Sequence, residues 1–313
     1  MRLKTIIVAF VLFIFPLQLF AQNSEQRLEV QGLALSPFLI ETELEAGDVQ
    51  LHTITLTNTT NLPLPIEISI NDFVPNGETG ETVFLNSGEE SDPRFSLSSW
   101  IRIVNQPDFT IEPGAQTEVQ FAIEPPVDAE PGSHYGGLLF SYRPTVLADT
   151  SVTVTQKAGV LVIAKLGNAN YRATVTNFRA EPSLDYSNVN FFTSIFNQGN
   201  AHIKPKGDVV IENMFGRQVG SVPVNRDANI ILPESQRNFQ STWESGWRLG
   251  RYTATAILFY GNPKLEIRTT TVFWIVPWQR LTVVISVLVL LGLIGYTAVK
   301  RYNRWLVSRS NKL

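Results

Sequence analysis

Residues 196–208, FNQGNAHIKPKGD, bring together within thirteen positions side chains that could bind a metal, move a proton or hold a ligand. A metal site would need further ligands beside His202, and none follows at a recognised spacing. A nucleophilic site would need a base and an orienting carboxylate, and no Ser or Asp partner stands at a familiar interval. Asn and Gly also favour turns, because Asn side chains bond nearby backbone. We therefore interpret the segment as a corner between two strands, the alternatives being part of a binding surface or a catalytic site.

Other residue types that could do chemistry are dispersed. The three histidines, His52, His134 and His202, form no HExxH pattern. The acidic residues of 88–92, GEESD, could contact calcium, but they lack the alternating spacing of a dedicated loop, which favours a solvated loop. The chain has no cysteine, so thiol catalysis, zinc–cysteine sites and iron–sulfur clusters are excluded. No GxSxG, P-loop or GxGxxG motif occurs. The sequence predicts a protein that is not an enzyme and carries no cofactor or metal.

A tryptophan pair is the most suggestive feature for binding. Trp243 and Trp247 lie four positions apart, beside Arg248 and Arg251, and Trp and Arg are enriched in binding hot spots. In one strand they would face the same side, so they could equally pack in a core or between domains. Together with Trp100 they are the candidate ligand-binding residues.

The elements that must position these residues are strands. Leu64, Ile66, Ile68 and Ile70 alternate with polar residues or proline, and similar runs of five to ten residues are separated by turn-forming clusters such as PNGETG. This period of two predicts short antiparallel strands, and no amphipathic helix is evident in the exported part. We predict an all-β fold built of immunoglobulin-like β-sandwiches.

Three sequence blocks recur in the same order, which predicts two tandem sandwiches of one architecture, at 28–147 and 148–276. The first copy contains about nineteen extra residues, most naturally within 74–100, hereafter the insertion. Because recognition usually lies in loops on a rigid scaffold, the insertion is the predicted contact surface. The matching blocks are 56–70 with 195–211, 111–121 with 231–241, and 131–142 with 248–261.

Both ends of the chain indicate export and anchoring. Residues 1–21 have the basic start, apolar core and small final residue of a signal peptide, with an uncleaved anchor as the alternative. Residues 281–299 contain no charge and are long enough for a transmembrane helix, followed by a basic tail at 300–313. The residues expected at the two membrane interfaces are Trp274, Trp278, Arg280, Lys300 and Arg301.

The charge is divided by this predicted helix. The tail carries five basic residues and no acid, so the positive-inside rule predicts a cytoplasmic C-terminus and an external N-terminal part. The external part has 18 basic and 28 acidic residues, a net charge of −10, which argues against binding nucleic acid. The absence of cysteine in two exported domains favours a bacterial envelope. We predict a single-pass protein of the bacterial cell membrane.

The segments LSPFLIETELEAGDVQLHTITLTNTTNLPLPIEISI, FTIEPGAQTEVQFAIEPP and GSHYGGLLFSY resemble the peptidoglycan-binding domain of the WxL-interacting proteins of Gram-positive surfaces. The order of signal, two sandwiches, terminal helix and basic tail is also similar to that family. The resemblance implies an immunoglobulin-like first domain that binds the wall and a second that engages a partner protein. In this chain the second domain is more like a copy of the first. A weaker similarity to pilus-chaperone sandwiches lies in LTNTTNLPLPIEI.

Two functions follow as hypotheses. In the first, the sandwiches bind cell-wall peptidoglycan or another surface protein, as an adhesion module. In the second, the external part is a structural spacer or an assembly partner for other surface proteins, like a pilus chaperone. An exposed aromatic pair would favour glycan, and a bare strand edge would favour a protein strand.

Overall fold

The computed structural model describes residues 28–30, 32–77, 79–86, 89, 91–105, 108–142, 155–183, 187–246 and 248–310. Within them the chain is built of strands followed by one long helix, so the predicted all-β class with a terminal helix is confirmed. The predicted signal at 1–21 lies outside the described residues.

The first two sheets face each other across a common core. One has the strand order β1-β2-β4-β9-β7, and the other has the order β3-β11-β10-β5-β6, with β8 also pairing β5. All pairings are antiparallel except that of β3 with β11, which is parallel. The strands are β1 (Leu28–Val30), β2 (Leu33–Ser36), β3 (Leu39–Leu44), β4 (Gln50–Asn58), β5 (Leu64–Asn76), β6 (Glu81–Phe84), β7 (Ile101–Ile103), β8 (Asp108–Ile111), β9 (Gln116–Ile123), β10 (Gly132–Tyr142) and β11 (Gln156–Leu166).

The second two sheets have the orders β12-β13-β16 and β15-β14-β17-β18. Their strands alternate as the sequence predicts: in β17, Tyr252, Ala254, Ala256 and Leu258 are buried and the residues between them are partly exposed. The strands are β12 (Ala173–Pro182), β13 (Asn188–Asn197), β14 (Lys206–Asn213), β15 (Gln218–Val224), β16 (Gln236–Glu244), β17 (Gly250–Tyr260) and β18 (Leu265–Ile275), and the helix α1 spans Trp278–Ser310.

The boundary between the two sandwiches differs from the sequence prediction. Strand β11 falls in the range 148–276 assigned to the second sandwich, yet it pairs with β10 along its whole length and with β3. The boundary therefore lies after Leu166 and not at 148. The physical reason is that β11 completes the first core with the buried side chains of Ala158, Val160 and Val162, since burial of apolar surface stabilises the fold.

Equivalent asparagines build the same corner in each sandwich. The buried Asn58 amide donates to the carbonyls of Leu62 and Ile111, at 2.8 and 2.9 Å. The buried Asn197 amide donates to the carbonyls of Ala201 and Ile231, at 2.8 and 3.1 Å. In both, the side-chain oxygen accepts a backbone N–H two residues on. Each corner thus links the end of one strand to a distant segment in the same way.

The sandwiches share a small apolar core. Phe73, Tyr135 and Ile163 of the first sandwich are buried against Leu232 of the second. Polar contacts surround it: the Asn200 amide donates to the Pro131 carbonyl at 2.7 Å, and the Ser133 N–H donates to the Asn200 carbonyl at 2.9 Å. The two sandwiches are therefore in direct contact.

Candidate functional site

Strand β11 is covered by β3 along only part of one side. The parallel pairing joins residues 161–166 of β11 to β3, beginning with the hydrogen bond from the Leu161 N–H to the Phe38 carbonyl at 2.9 Å. No strand among the described residues pairs with 157–160 on that side. We call residues 157–160 the open edge.

The alternation of a strand tells which backbone groups the open edge presents. Because the Leu161 N–H points toward β3, the N–H and C=O groups of Lys157 and Gly159 point in the same direction. On the other side of β11, Ser141 and Leu139 of β10 are the partners of Lys157 and Gly159. The hydrogen bonds to β10 use the backbone groups of the residues that alternate with these two, Ala158 and Val160. The open edge is thus a short row of backbone donors and acceptors that an extended chain could extend as a ladder.

The outer face of this sheet next to the open edge is apolar. Phe84 lies over the backbone of Gly137 and Gly159, where an added Cβ would come within 3.0 and 2.5 Å of its ring. The ring also contacts Phe73 edge-on, at 5.8 Å between centroids. Leu161 packs against the same shared core, so apolar surface continues from the open edge to the second sandwich.

A cleft of about 540 Å³ lies beside β3, between the two sandwiches, and we call it the basic cleft. Lys204 pairs with Glu41 at 2.5 Å. Lys206 forms no ion pair with a described residue, and the Lys264 ammonium lies over the Phe259 ring at 4.2 Å. The residues that line the basic cleft are Glu41, Tyr171, His202, Ile203, Lys204, Lys206, Phe259, Tyr260, Gly261, Asn262 and Lys264. Three ammonium groups and one carboxylate give this cleft a local positive charge, although the sequence before the terminal helix is acidic.

One carboxylate fastens the last part of the insertion to the first sandwich, in addition to the pairing of β6 with β5. Asp72, on β5 and largely buried, accepts hydrogen bonds from the hydroxyls of Ser91 and Ser96, at 2.5 and 2.6 Å. It also accepts hydrogen bonds from the backbone N–H groups of Leu97 and Ser98, at 3.0 and 2.7 Å. The chain turns there because four donors converge on one side chain.

The insertion also bridges to the second sandwich. The Arg94 guanidinium donates to both Asp92 and Glu234, with the shortest contact to Glu234 at 2.9 Å. The Arg237 guanidinium donates to the Gly80 carbonyl at 3.0 Å. The surface predicted to be a free recognition loop is therefore partly used to hold the sandwiches together.

The segment 196–208 is both a corner and part of the cleft wall. Asn197 makes the turn as the sequence indicates, but His202, Lys204 and Lys206 line the basic cleft. His202 Nδ1 lies 3.1 Å from the Ser133 hydroxyl of the first sandwich. The spacing of Lys204 and Lys206, two positions apart, indicates that they share a face. It could not show that the first sandwich lies opposite that face.

Burial lowers the pKa of His202 to about 4; the nearby Glu41 opposes this shift, while Lys204 and Lys165 reinforce it. The folded state thus holds a neutral imidazole, whereas the unfolded chain takes up a proton near its ordinary pKa of 6.5. Stability is therefore complete above that ordinary pKa and falls as the pH drops toward the folded value.

We expect the free energy of unfolding to fall by about 1–2 kcal/mol more in the native protein than in His202→Gln between about pH 7.5 and about pH 5. Urea unfolding of both proteins at the two pH values measures it. His52 and His134, whose pKa values burial also lowers, remain in both proteins, so the difference isolates His202. Identical pH dependence of the two proteins would contradict the assignment.

No protein-family model matches the chain, and no curated protein sequence matches it. Solved structures do: the YadV chaperone is 10% identical over 77% of this chain and 100% of its own, with a TM-score of 0.39. The class 5 fimbriae chaperone CfaA is 12% identical over 76% of this chain and 97% of its own, with a TM-score of 0.38. The E. coli chaperone DraB is 10% identical over 77% of this chain and 94% of its own, with a TM-score of 0.35. At these identities and TM-scores the similarities carry no weight for the function of this chain.

Two of the candidate tryptophans, Trp100 and Trp243, are buried. Trp100 is 8% exposed and packs on His134, at 4.1 Å between ring centroids, inside the first core. Trp243 is 5% exposed in the second core, where it contacts Tyr252 edge-on and carries the Arg248 guanidinium over its ring. Both therefore serve packing, the alternative that the sequence left open. Trp247 lies outside the described residues.

The terminal helix is long and apolar enough to cross a membrane. Within Trp278–Trp305, the most apolar stretch has a mean hydropathy of 2.4, and none of that stretch is buried in the protein. Trp274 lies near the end of β18 and Trp278 begins the helix, both exposed. Arg280 lies in the first turn of α1, and Lys300 and Arg301 in its last part. The described residues contain no group of three or more His, Asp or Glu side chains placed to hold a metal.

Proposed function

We propose that this chain is a membrane-anchored bacterial surface protein that binds another exported protein by adding one of its extended segments as a strand beside β11. The observation that carries the proposal is the open edge, where β3 ends short of residues 157–160. An exposed row of backbone groups invites pairing with another chain, and native proteins usually cover such edges. The proposed role is binding or assembly and not catalysis.

The basic cleft supports the same proposal from side-chain chemistry. Lys206 and Lys264 have no carboxylate partner among the described residues, while Lys204 forms an ion pair with Glu41. Such a cleft favours an acidic group of the partner, because opposite charges at a partly desolvated interface set its register. We propose that a segment paired at the open edge also places an acidic group of its protein near these lysines.

Binding of cell-wall peptidoglycan is the alternative that the resemblance to WxL-interacting proteins implies, and membership of that family remains a proposal. Sugar faces bind best to exposed aromatic rings. Trp100 and Trp243 are buried, which favours a protein partner over a wall polymer. We also propose that the helix spans the cell membrane with the sandwiches outside, in line with the basic residues that follow it.

The proposal is tested with a photo-crosslinking amino acid in place of Thr155, an exposed residue close to the open edge. The full-length protein is expressed in the cells that normally produce it and is crosslinked there. We expect adducts with a polypeptide other than this chain, identified by mass spectrometry of the crosslinked peptide. Adducts with muropeptides alone would favour the wall polymer, and crosslinks confined to this chain would contradict strand addition.

Two variants at one residue make the test specific. Lys157→Pro removes the N–H that points from the open edge but none that bonds β10, so the protein should fold and the adduct should decrease by about tenfold. Lys157→Ala keeps the N–H and should crosslink normally. Equal crosslinking in both variants would show that the backbone of the open edge is not used, whereas equal loss would assign the effect to the lysine side chain.

A further inference from the structure

Large apolar side chains are exposed together at one end of the second sandwich. Phe215 and Met214, in the turn between β14 and β15, are 85% and 62% exposed. Leu249, just before β17, and Trp274, near the end of β18, are also exposed. The proposed binding function uses none of these residues, which lie at the end of the sheet opposite the basic cleft.

The turn that carries Phe215 is well ordered. The Gly216 N–H donates to the Asn213 carbonyl at 2.9 Å, and the Asn213 side chain accepts the N–H groups of Phe215 and Arg217, at 3.0 and 3.1 Å. The backbone that carries the phenyl ring is therefore fixed, and the 85% exposure of Phe215 shows that the ring does not pack on the sandwich. The adjacent side chains of Met214 and Phe215, exposed on a fixed turn, mark a surface that is covered in use.

The strand register places this turn at the level where the helix leaves the sandwich. Asn213 pairs with Tyr252 of β17, and Tyr252 pairs with Phe273 of β18. The turn continues from there beyond the sheet, toward the level of Ile275, which pairs with Gly250. Two strand spacings, or roughly 10 Å, separate the turn sideways from β18.

The short connection to the helix fixes how far this end can be from a bilayer. Only Val276 and Pro277 separate β18 from α1, and the three steps from Ile275 to Trp278 span at most about 11 Å. Trp278, the first residue of the helix, is exposed and of the type that prefers the membrane interface. A sandwich tied so closely to a spanning helix has its base at the head-group level.

We infer that this end of the second sandwich rests on the outer surface of the bilayer, with Phe215 and Met214 inserted among the lipid head groups. The inference depends on the proposal that α1 spans the membrane, but not on the proposed strand addition. The lipid surface, and not a soluble protein or a second copy, is the occupant because the helix brings it within reach of the turn in every molecule. The contact would fix the direction in which the first sandwich projects.

The absence of cysteine makes the test direct, because single cysteines can be introduced and labelled with the fluorophore NBD in the full-length chain. Phe215→Cys and Met214→Cys report on the turn. Val127→Cys is the matched control, since Val127 is a large apolar residue of the first sandwich with 83% exposure. Leu288→Cys reports on the middle of the helix. Each protein is reconstituted into vesicles of phosphatidylcholine and phosphatidylglycerol that contain spin-labelled lipids.

We expect shallow lipid-borne quenchers to reduce the emission of probes at 215 and 214 by about twofold, as for groups buried 5–10 Å into the interface, and to leave the probe at 127 unchanged. The probe at 288 should respond to deep quenchers. If 288 is quenched but 215 and 214 behave like 127, the docking inference is overturned and the spanning helix stands. If 288 is not quenched, the spanning helix is contradicted and the docking inference falls with it.

Discussion

Replacing Asp72 by alanine should lower the free energy of unfolding of the first sandwich by about 3–5 kcal/mol, because buried donors lose their shared acceptor. Four hydrogen bonds end on this carboxylate, two of them from the backbone N–H groups of Leu97 and Ser98. Leu97 is fully buried in the core, so it cannot move outward to find water without exposing apolar surface. Calorimetry of the full-length protein in detergent measures the loss.

The matched control is Asp72→Asn. Its amide oxygen can still accept the two backbone N–H groups, and its NH₂ can donate to the hydroxyls of Ser91 and Ser96. We expect at most about 1.5 kcal/mol of destabilisation, since only charge-assisted strength is lost. Limited proteolysis should cut the alanine variant between residues 86 and 96 but spare the asparagine variant. Equal stability of the two variants would mean that the carboxylate is not the acceptor on which the insertion depends.

Replacing Asn58 or Asn197 by alanine should destabilise its own sandwich by about 2–4 kcal/mol. Each amide bonds two carbonyls from separate segments, and both side chains are fully buried. Alanine would remove the donor to those carbonyls and the acceptor for the N–H groups of Thr60 or Gly199. The Leu62 and Ile231 carbonyls would keep only the Thr60 hydroxyl and the Ile203 N–H, respectively. Urea unfolding followed by hydrogen exchange assigns each loss to its sandwich.

Asn213→Ala serves as the comparison for this pair. Asn213 also bonds nearby N–H groups in a turn, but it is only partly buried, and water can replace its side chain. We expect a loss below about 1 kcal/mol there. A loss at Asn213 as large as at Asn197 would indicate that turn geometry, and not the burial of unsatisfied groups, sets the cost.

The fold class could be predicted because alternation is a local property. The pattern of Tyr252, Ala254, Ala256 and Leu258 already indicates which face of β17 is buried. The sandwich boundary could not be placed in the same way. Which sandwich takes β11 depends on its pairing with β10 and with β3, which lies far earlier in the chain, and the alternation within Gln156–Leu166 does not indicate those partners.

The candidate site could be predicted less well, for a related reason. Trp100 and Trp243 have the composition of a binding patch, and only the packing of a whole sandwich decides that they are buried. The open edge is defined by where β3 ends relative to β11, and the basic cleft by which segments of two sandwiches meet. Such features belong to pairs of distant segments, so side-chain types and spacing alone do not indicate them.

The hairpin of β17 and β18 has a mechanical consequence. Its register is unbroken from Tyr260 and Leu265, beside the basic cleft, to Gly250 and Ile275, next to the helix. Eleven paired positions at about 3.3 Å each make a continuous ladder of roughly 35 Å. If α1 spans the membrane as proposed, a pull on β14 at Lys206, in the basic cleft, would reach the helix through the ladders of β14 with β17 and of β17 with β18, and would load them along their strands. The bonds would then share the tension in shear and resist together, whereas a pull across the strands would open them one after another.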